Sequence, residues 1–591
     1  MTDESLTVAK PQKPLPEERK PRIWLPVLLA AMYWTVFYTS RLLGLDLQTL
    51  FFSRLGACAV AFLVGTVWWW SQTGLRLRDR AFVAAVFIVS LVVPAVFGDP
   101  SVGPFGMFLF GGPVILTAAV LGLVAARDAS NLTRRNLIAG SMLAASLGFL
   151  LIRMDGVQGN ADTDFAWRWS ETAEDRFLAE HIDPVRPPVE ENVAPLVAEP
   201  GDWINFRGPH RAGAIKAGFA LADWKSNPPQ LVWKKRVGPA WSSVIVVGGK
   251  LFTQEQRGEK EAVTAYDAAT GEPVWVYESP DRYSDPVSGA GPRATPTFAD
   301  GRIFAFGSKA KLVCLEASSG QKVWERDCLK DSEGEQQMWG FASSPLVVDD
   351  LVVVFAGGEK GKSLLAYHRK DGELAWSADG GKMSYCSAEL AEIGGVTTLL
   401  FSSVRGLLGF DPSSGRELWQ TGEAIEGTHS VQPHFVSLES LGQPRLLAVT
   451  PQGVAEHKIV NEEQPAFERG WLSKDLKPDF NDFVVLDEHA YGFDREIFAC
   501  ISLRNGKRAW KGGRYGHGQV VLLEDERKLI VLGEQGQLAL LNATPKKLEE
   551  LGQIKALEGK TWNHPVLVGR RLYCRNAEEM ACYELAAAET P

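Results

Sequence analysis

The sequence predicts an N-terminal α-helical membrane domain of five transmembrane helices joined to an all-β propeller of eight blades. Two observations carry that reading. Five apolar stretches follow one another between residues 23 and 152, each long enough to cross a bilayer as a helix. Beyond residue 201 an eleven-residue phrase recurs, with a small residue first, Gly seventh and Trp eleventh. At 591 residues the chain is too long for one compact domain, and a net charge of −9 argues against a nucleic-acid partner.

Residues 1–22 are polar and carry Lys10, Lys13, Arg19, Lys20 and Arg22. Without an apolar core they read as a cytoplasmic tail, not a signal peptide. The apolar segments 23–40, 51–70, 80–98, 104–126 and 136–152 follow. A buried soluble helix is the plainer reading of any one of them. Five in a row, nearly free of charge, favour an anchor over residues 23–152. Basic residues gather in alternate loops: Arg76, Arg78 and Arg80, then Arg127, Arg134 and Arg135. The other loops are poorer, with Arg41 and Arg54 bordering the first and none in 98–103. Positive-inside orientation then predicts a cytoplasmic N-terminus in a bacterial inner membrane, with everything after residue 152 in the periplasm. Trp68, Trp69 and Trp70 end the second helix, where aromatic rings favour the interface. No acidic residue sits deep in a span, which gives an ion pathway little support.

Residues 153–200 read as a linker. Phe165, Trp167, Trp169, Phe177 and Leu178 suggest a short amphipathic helix, lying either at the membrane surface or docked on the propeller. Pro184, Pro187, Pro188 and Pro195 then keep the chain extended.

The propeller is read over residues 201–591. Copies of the phrase run from Ala265 to Trp275, Cys314 to Trp324, Ala366 to Trp376, Gly409 to Trp419 and Cys500 to Trp510. Each is a β-hairpin: an apolar strand, a polar turn in which Gly takes positive φ, and a strand delivering a Trp between sheets. One such hairpin per roughly 40 residues is one propeller blade. Innermost strands should begin near Ser242, Thr295, Ser344, Ser387, Val431, Phe483, Gln519 and Pro565. The fifth unit has only a long hairpin from Val454 to Trp471, and the seventh has Leu548 and Leu551 in place of Trp. Reading the fifth and its neighbour otherwise would leave seven blades. Leu231, Val232 and Trp233 form a Trp strand with no hairpin before it, while the last three strands lack a fourth. Ring closure between them removes two open sheet edges.

The phrase resembles the tryptophan-docking repeat of the pyrroloquinoline-quinone (PQQ) propeller family, A-x-D-x-x-T-G-x-x-x-W, which residues 265–275 match at every fixed position. Asp202 to Pro209 likewise resembles a W-x-x-F/Y-R-G sequence that precedes such propellers. The family holds quinoprotein dehydrogenases and the assembly lipoprotein BamB, so the resemblance implies the fold and leaves the function open.

In a propeller the loops leading into the innermost strands converge on one mouth of the central channel. Here they offer Trp241, Arg293, Trp339, Tyr385, His429, Asn481 with Asp482, His517, and Trp562, Asn563 and His564. Gln336, Gln337 and Glu426 lie close by in sequence. Such a set makes a ligand site or, on the plainer reading, a plug of mutually bonded side chains. Quinoprotein enzymes stack PQQ on a Trp, clamp it with Arg and hold calcium through a carboxylate and an Asn. No Glu–Asn–Asp set aligns here and no long insertions occur. His429, His517 and His564 lack the spacing of a metal site, and the seven cysteines form no C-x-x-C; Cys574 and Cys582 flank the last hairpin and read as buried thiols. The resemblance therefore implies a membrane-tethered binding or scaffold propeller, similar to BamB in lacking enzyme insertions, with a periplasmic protein or a small planar ligand as partner. The alternative is a PQQ- and calcium-dependent membrane dehydrogenase passing electrons to ubiquinone, as in the membrane glucose dehydrogenase that also joins five helices to such a propeller.

Overall fold

The computed structural model describes residues 21–43, 47–72, 75–157, 163–180, 194–285, 287–422, 425, 427 and 429–588. The basic tail up to Lys20, the linker prolines 184, 187 and 188, and Glu426 lie outside these. Two compact units divide at residues 170 and 171.

The first unit is helical. Its long helices are α1 (Trp24–Leu42), α2 (Leu47–Ser71) and α3 (Leu77–Phe97). A broken rod follows, made of α4 (Gly103–Gly106), a π-helical turn (Met107–Gly111) and α5 (Gly112–Ala125), and then α6 (Asn131–Leu151). The break coincides with Gly111, Gly112 and Pro113, where a missing backbone N–H and absent side chains loosen the ladder. Three stretches are long and apolar enough to cross a membrane: Thr49–Ser71, Leu77–Phe97 and Gly103–Ala125. The sequence reading of five spans is thus not reproduced by length and composition among the described residues. The first and last helices carry more polar side chains, such as Asn131, Thr133, Arg134 and Arg135 in the opening of α6. Polar groups tie the bundle: Trp34 Nε1 donates to Thr117 Oγ1 at 3.0 Å, and Ser146 Oγ to the Ser90 carbonyl at 2.9 Å. Arg134 is buried and caps the turn between α5 and α6, donating to the carbonyls of Ala126, Arg127 and Ala129. A hairpin of Ile152–Val157 and Thr163–Trp167 follows α6, so Phe165 and Trp167 lie on a strand, not on the amphipathic helix expected there. It sits beside the α3–α4 loop, with Met154 N donating to Ser101 Oγ at 2.8 Å.

The second unit is an eight-bladed β-propeller. Seven blades are four-stranded antiparallel sheets; the seventh in the ring carries a fifth strand, Ala214–Ile215, along its inner edge. Innermost strands start at Ile245, Thr297, Leu346, Glu389, His434, Val484, Gln519 and Val566, so the fifth and seventh units are full blades. Closure is by Gln230–Arg236, which pairs antiparallel with Glu579–Glu584 and sets Trp233 opposite Cys582.

The eleven-residue phrase has a use that one hairpin alone does not reveal. Its Gly seats the Trp of the preceding blade. Gly271, Gly320, Gly372, Gly415 and Gly506 lie at φ near 70°, and a Cβ on any of them would fall 2.4–2.8 Å from the indoles of Trp233, Trp275, Trp324, Trp376 and Trp471. Each of these indoles also donates Nε1–H to a carbonyl in the same turn, at 2.9–3.1 Å. Blade five therefore does dock, through Trp471. Two phrase indoles meet no Gly turn: Trp510 still donates Nε1–H to the Thr544 carbonyl at 2.7 Å, whereas the Nε1 of Trp419 has no partner among the described residues and its ring packs on Gly409 of its own blade and on Phe467. Blade seven has no Trp of its own, and Trp224, from the segment before the closing strand, is buried beside its Gly552. All seven cysteines are free and buried, Cys574 and Cys582 among them.

The linker helix α7 (Ala173–Glu180) docks on the propeller. Phe177 is fully buried, under the Arg257 guanidinium at 5.2 Å, and Glu174 receives two bonds from Arg282 at 2.8 and 3.0 Å. Of the two sequence readings for this helix, burial of Phe177 selects the docked one.

Candidate functional site

The central channel is plugged by residues 203–215, of which the sequence marks only those up to Pro209, as a preface to the propeller. Trp203 bridges Val246 of blade one, and the Ile204 carbonyl accepts from Phe298 N of blade two. The chain then turns inside the ring on two arginines in the left-handed region, Arg207 (φ 61°) and Arg211 (φ 55°). Arg207 Nη1 lies 2.8 Å from Asp482 Oδ2 and its Nη2 donates to the Phe483 carbonyl; Arg211 donates to the carbonyls of Ser344 and Pro345, both at 3.0 Å. The segment leaves along blade seven, Ala214 opposite Leu522. Gly213 must be Gly: at φ 67°, a Cβ would lie 2.6 Å from the Arg207 guanidinium.

Burial opposes ionisation of Asp482, but Arg207 and His434 overcome it and hold the carboxyl at about 2. Glu389, also inside the ring, is pushed up to about 8 by burial, against the pull of Arg207 and Arg211. Small polar groups of the innermost strands form a belt around the plug. Ser243 N, Thr295 N and Ser344 N donate in turn to Thr295 Oγ1, Ser344 Oγ and Ser387 Oγ at 2.9–3.0 Å.

Above the plug lie the lead-in loops, where two groups of the sequence-selected residues form. In the first, Trp241 packs on Trp562 and Trp562 on Phe480, both at 4.7 Å between centroids, with the Lys560 ammonium 4.5 and 5.1 Å from the two indoles. Trp562 Nε1 donates to Glu534 at 2.9 Å. His517 stacks on Phe480 and lies between Asp479 (3.0 Å) and Glu534 (3.4 Å); burial opposes its charge, but the two carboxylates raise it to about 10. In the second group, Arg293 gives Nη2 to Asp285 at 2.5 Å and Ser288 at 2.6 Å, Nη1 to the Gly291 carbonyl, and covers the Tyr283 ring. Trp339 packs on Tyr385 at 5.6 Å, beside exposed Met338. Asn481 is buried and accepts from Asp479 N.

The three histidines do not come together. His429 contacts the Ile425 carbonyl at 2.8 Å and is lowered by burial. His564 lies edge-on to Phe206 and is lowered to about 3 by burial, then by Arg207. No group of three or more potential metal-ligating side chains occurs among the described residues. Nor do the side chains present fit PQQ with calcium. Arg293 is spent on Asp285 and Ser288, Asp482 is spent on Arg207 and His434, and Asp479 and Glu534 hold His517. Sequence reasoning missed Lys560, Phe480 and Glu534, which meet Trp241 and Trp562 across blades, and Asp285, which the folding back of its own loop brings to Arg293. Arg207 was visible only as part of a preface, and Arg211 lies just beyond it.

Comparison with known proteins places this geometry. Residues 259–512 match a protein-family model described as outer membrane protein assembly factor BamB. The quinoprotein alcohol dehydrogenase PedH of Pseudomonas putida is 32% identical over 20% of this chain and 20% of its own. The outer membrane protein assembly factor BamB of Burkholderia pseudomallei is 24% identical over 52% of this chain and 74% of its own. The matched stretch is thus a fifth of the dehydrogenase's length. Among solved structures, BamB of Moraxella catarrhalis superposes on 60% of this chain and 99% of its own, with a TM-score of 0.44 and 14% identity. The repeated phrase, the docked indoles and the stretch matched over residues 259–512 agree in making the blades of this chain similar to the PQQ-type β-propeller repeat.

Proposed function

We propose that this chain is a membrane-tethered PQQ-type propeller whose channel mouth is a docking surface for a periplasmic protein, a scaffold role akin to that named for BamB. The observation that carries it is the state of the mouth. Asp285 is paired with Arg293, Asp479 and Glu534 are paired with His517, and Lys560 lies over two indoles, while half-buried Trp241, Phe480, Trp562 and Trp339 and exposed Met338 remain on offer. Aromatic and Met side chains with few free charges are the composition of a protein-binding core. The five-crossing topology with a cytoplasmic N-terminus belongs to the same proposal. It is supported by the basic residues in the α2–α3 and α5–α6 loops and by the hairpin after α6, which lies beside the α3–α4 loop.

A photo-crosslinking residue at Met338 tests the docking. We expect a discrete protein adduct that a Trp241→Ala variant loses; adducts no different from those at an outer-strand position such as Leu374 would refute it. The rival dehydrogenase reading predicts heat on mixing the full-length protein with PQQ and calcium, and reduction of an artificial acceptor. We expect neither.

A further inference from the structure

The mouth already holds a piece of main chain. Between blades one and two Ser284 and Asp285 pair with Ala290 and Gly289 in a small hairpin that joins no blade, with Val287 and Ser288 at its tip. Asp285 shapes it, accepting from Val287 N and Ser288 N at 2.9 and 2.7 Å and anchoring its base to Arg293. Its tip reaches the aromatic group. Trp241 Nε1 donates to the Ser288 carbonyl at 2.8 Å, and Lys560 Nζ, from blade eight, to the Val287 carbonyl at 3.4 Å. In this hairpin both donors meet peptide carbonyls. The adjoining rings of Trp562 and Phe480 suit an apolar side chain.

Building on the docking reading above, we propose that this hairpin is an internal stand-in for the partner, and that the mouth binds an extended peptide segment by its main-chain carbonyls once the hairpin is displaced. Asp285 and Arg293 are then positioning residues that hold the stand-in, not ligand contacts. The bonds from Trp241 and Lys560 are the ones that tie the tip to the aromatic group, while Asp285 and Arg293 hold Val287 and Ser288 to the base. A competing segment need replace only the tip.

The test uses the full-length protein in detergent and a labelled synthetic peptide carrying residues 283–291 as probe. Deleting residues 286–288 empties the tip and leaves Asp285 to hold Arg293. We expect the deletion variant to bind the probe about tenfold or more tighter than wild type, as removal of an internal competitor requires. Trp241→Phe, which keeps the ring and loses the N–H, or Lys560→Met, added to the deletion, should weaken the probe by about tenfold. A deletion variant that melts cooperatively near the wild-type temperature but ignores the probe would overturn the proposal. So would binding that Trp241→Phe and Lys560→Met leave unchanged. Binding of a neutral oligosaccharide such as chitotetraose in place of the peptide would overturn the peptide class. In each case the Met338 crosslink decides separately whether the mouth docks a protein at all.

Discussion

Arg207 and Asp482 meet inside the ring with Nη1 and Oδ2 2.8 Å apart and both side chains buried, although one belongs to the segment before the first blade and the other to blade six. The pair joins the plug to the far side of the ring, so plug and blades form one cooperative structure. Removing one partner leaves a buried charge unmatched. We expect Arg207→Met to cost about 3–5 kcal/mol in urea unfolding. Arg207→Met with Asp482→Asn should recover part of that loss; equal losses in the single and double variants would show that the pair is not coupled.

Ring closure makes a second expectation. Deleting residues 201–236 removes both the plug and the strand that sets Trp233 opposite Cys582. The melting temperature of the whole propeller should fall, because the deletion opens a sheet edge and empties the Trp233 seat on Gly271. Blades that melt unchanged would contradict the closure.

The docking indoles are not equivalent. Trp275 donates to the Ala317 carbonyl at 3.0 Å, whereas Trp419 donates to nothing among the described residues. Truncation of Trp275 to Ala should cost about 3–5 kcal/mol, the usual range for a core aromatic. Trp275→Phe isolates the hydrogen bond and should lose about 1 kcal/mol more than Trp419→Phe. Calorimetric melts of the two Phe variants check the difference.

Glu389 makes stability depend on pH. Its folded-state value, raised by burial to about 8, lies above the ordinary value of about 4.3. Its contribution is therefore fully present below the ordinary value and is lost as pH rises through the folded one. Asp482 acts in the opposite sense: held at about 2, it contributes above its ordinary value and loses that contribution as pH falls towards 2. Glu389→Gln should flatten the fall in melting temperature between about pH 5 and pH 8. A slope identical to wild type would show that Glu389 does not titrate there.

The proposed topology is tested by fusion. Alkaline phosphatase joined after residue 591 should be active in a Gram-negative host, and inactive when inserted in the basic loop between α2 and α3. The reverse pattern would place the propeller in the cytoplasm.

By itself the sequence determined the repeat. Gly271 and Trp275 stand four residues apart in one phrase because a tight turn and a broad apolar face are both local needs, and five such phrases define blades. Closure was legible for the same reason, since a Trp strand without a hairpin and a blade short of a strand complete one another. Tertiary structure decided what those residues meet. Gly271 receives Trp233 of a different blade, a pairing that depends on ring order. Arg293 seemed a ligand clamp among lead-in loops, yet Asp285, eight residues earlier, takes its charge once the intervening hairpin folds back. Arg207 read as a preface because nothing local signals that its charge is matched by an acid in blade six. Backbone turns and apolar periods are written in neighbouring residues; charge pairing across a channel is set only when the ring closes and excludes water from its axis.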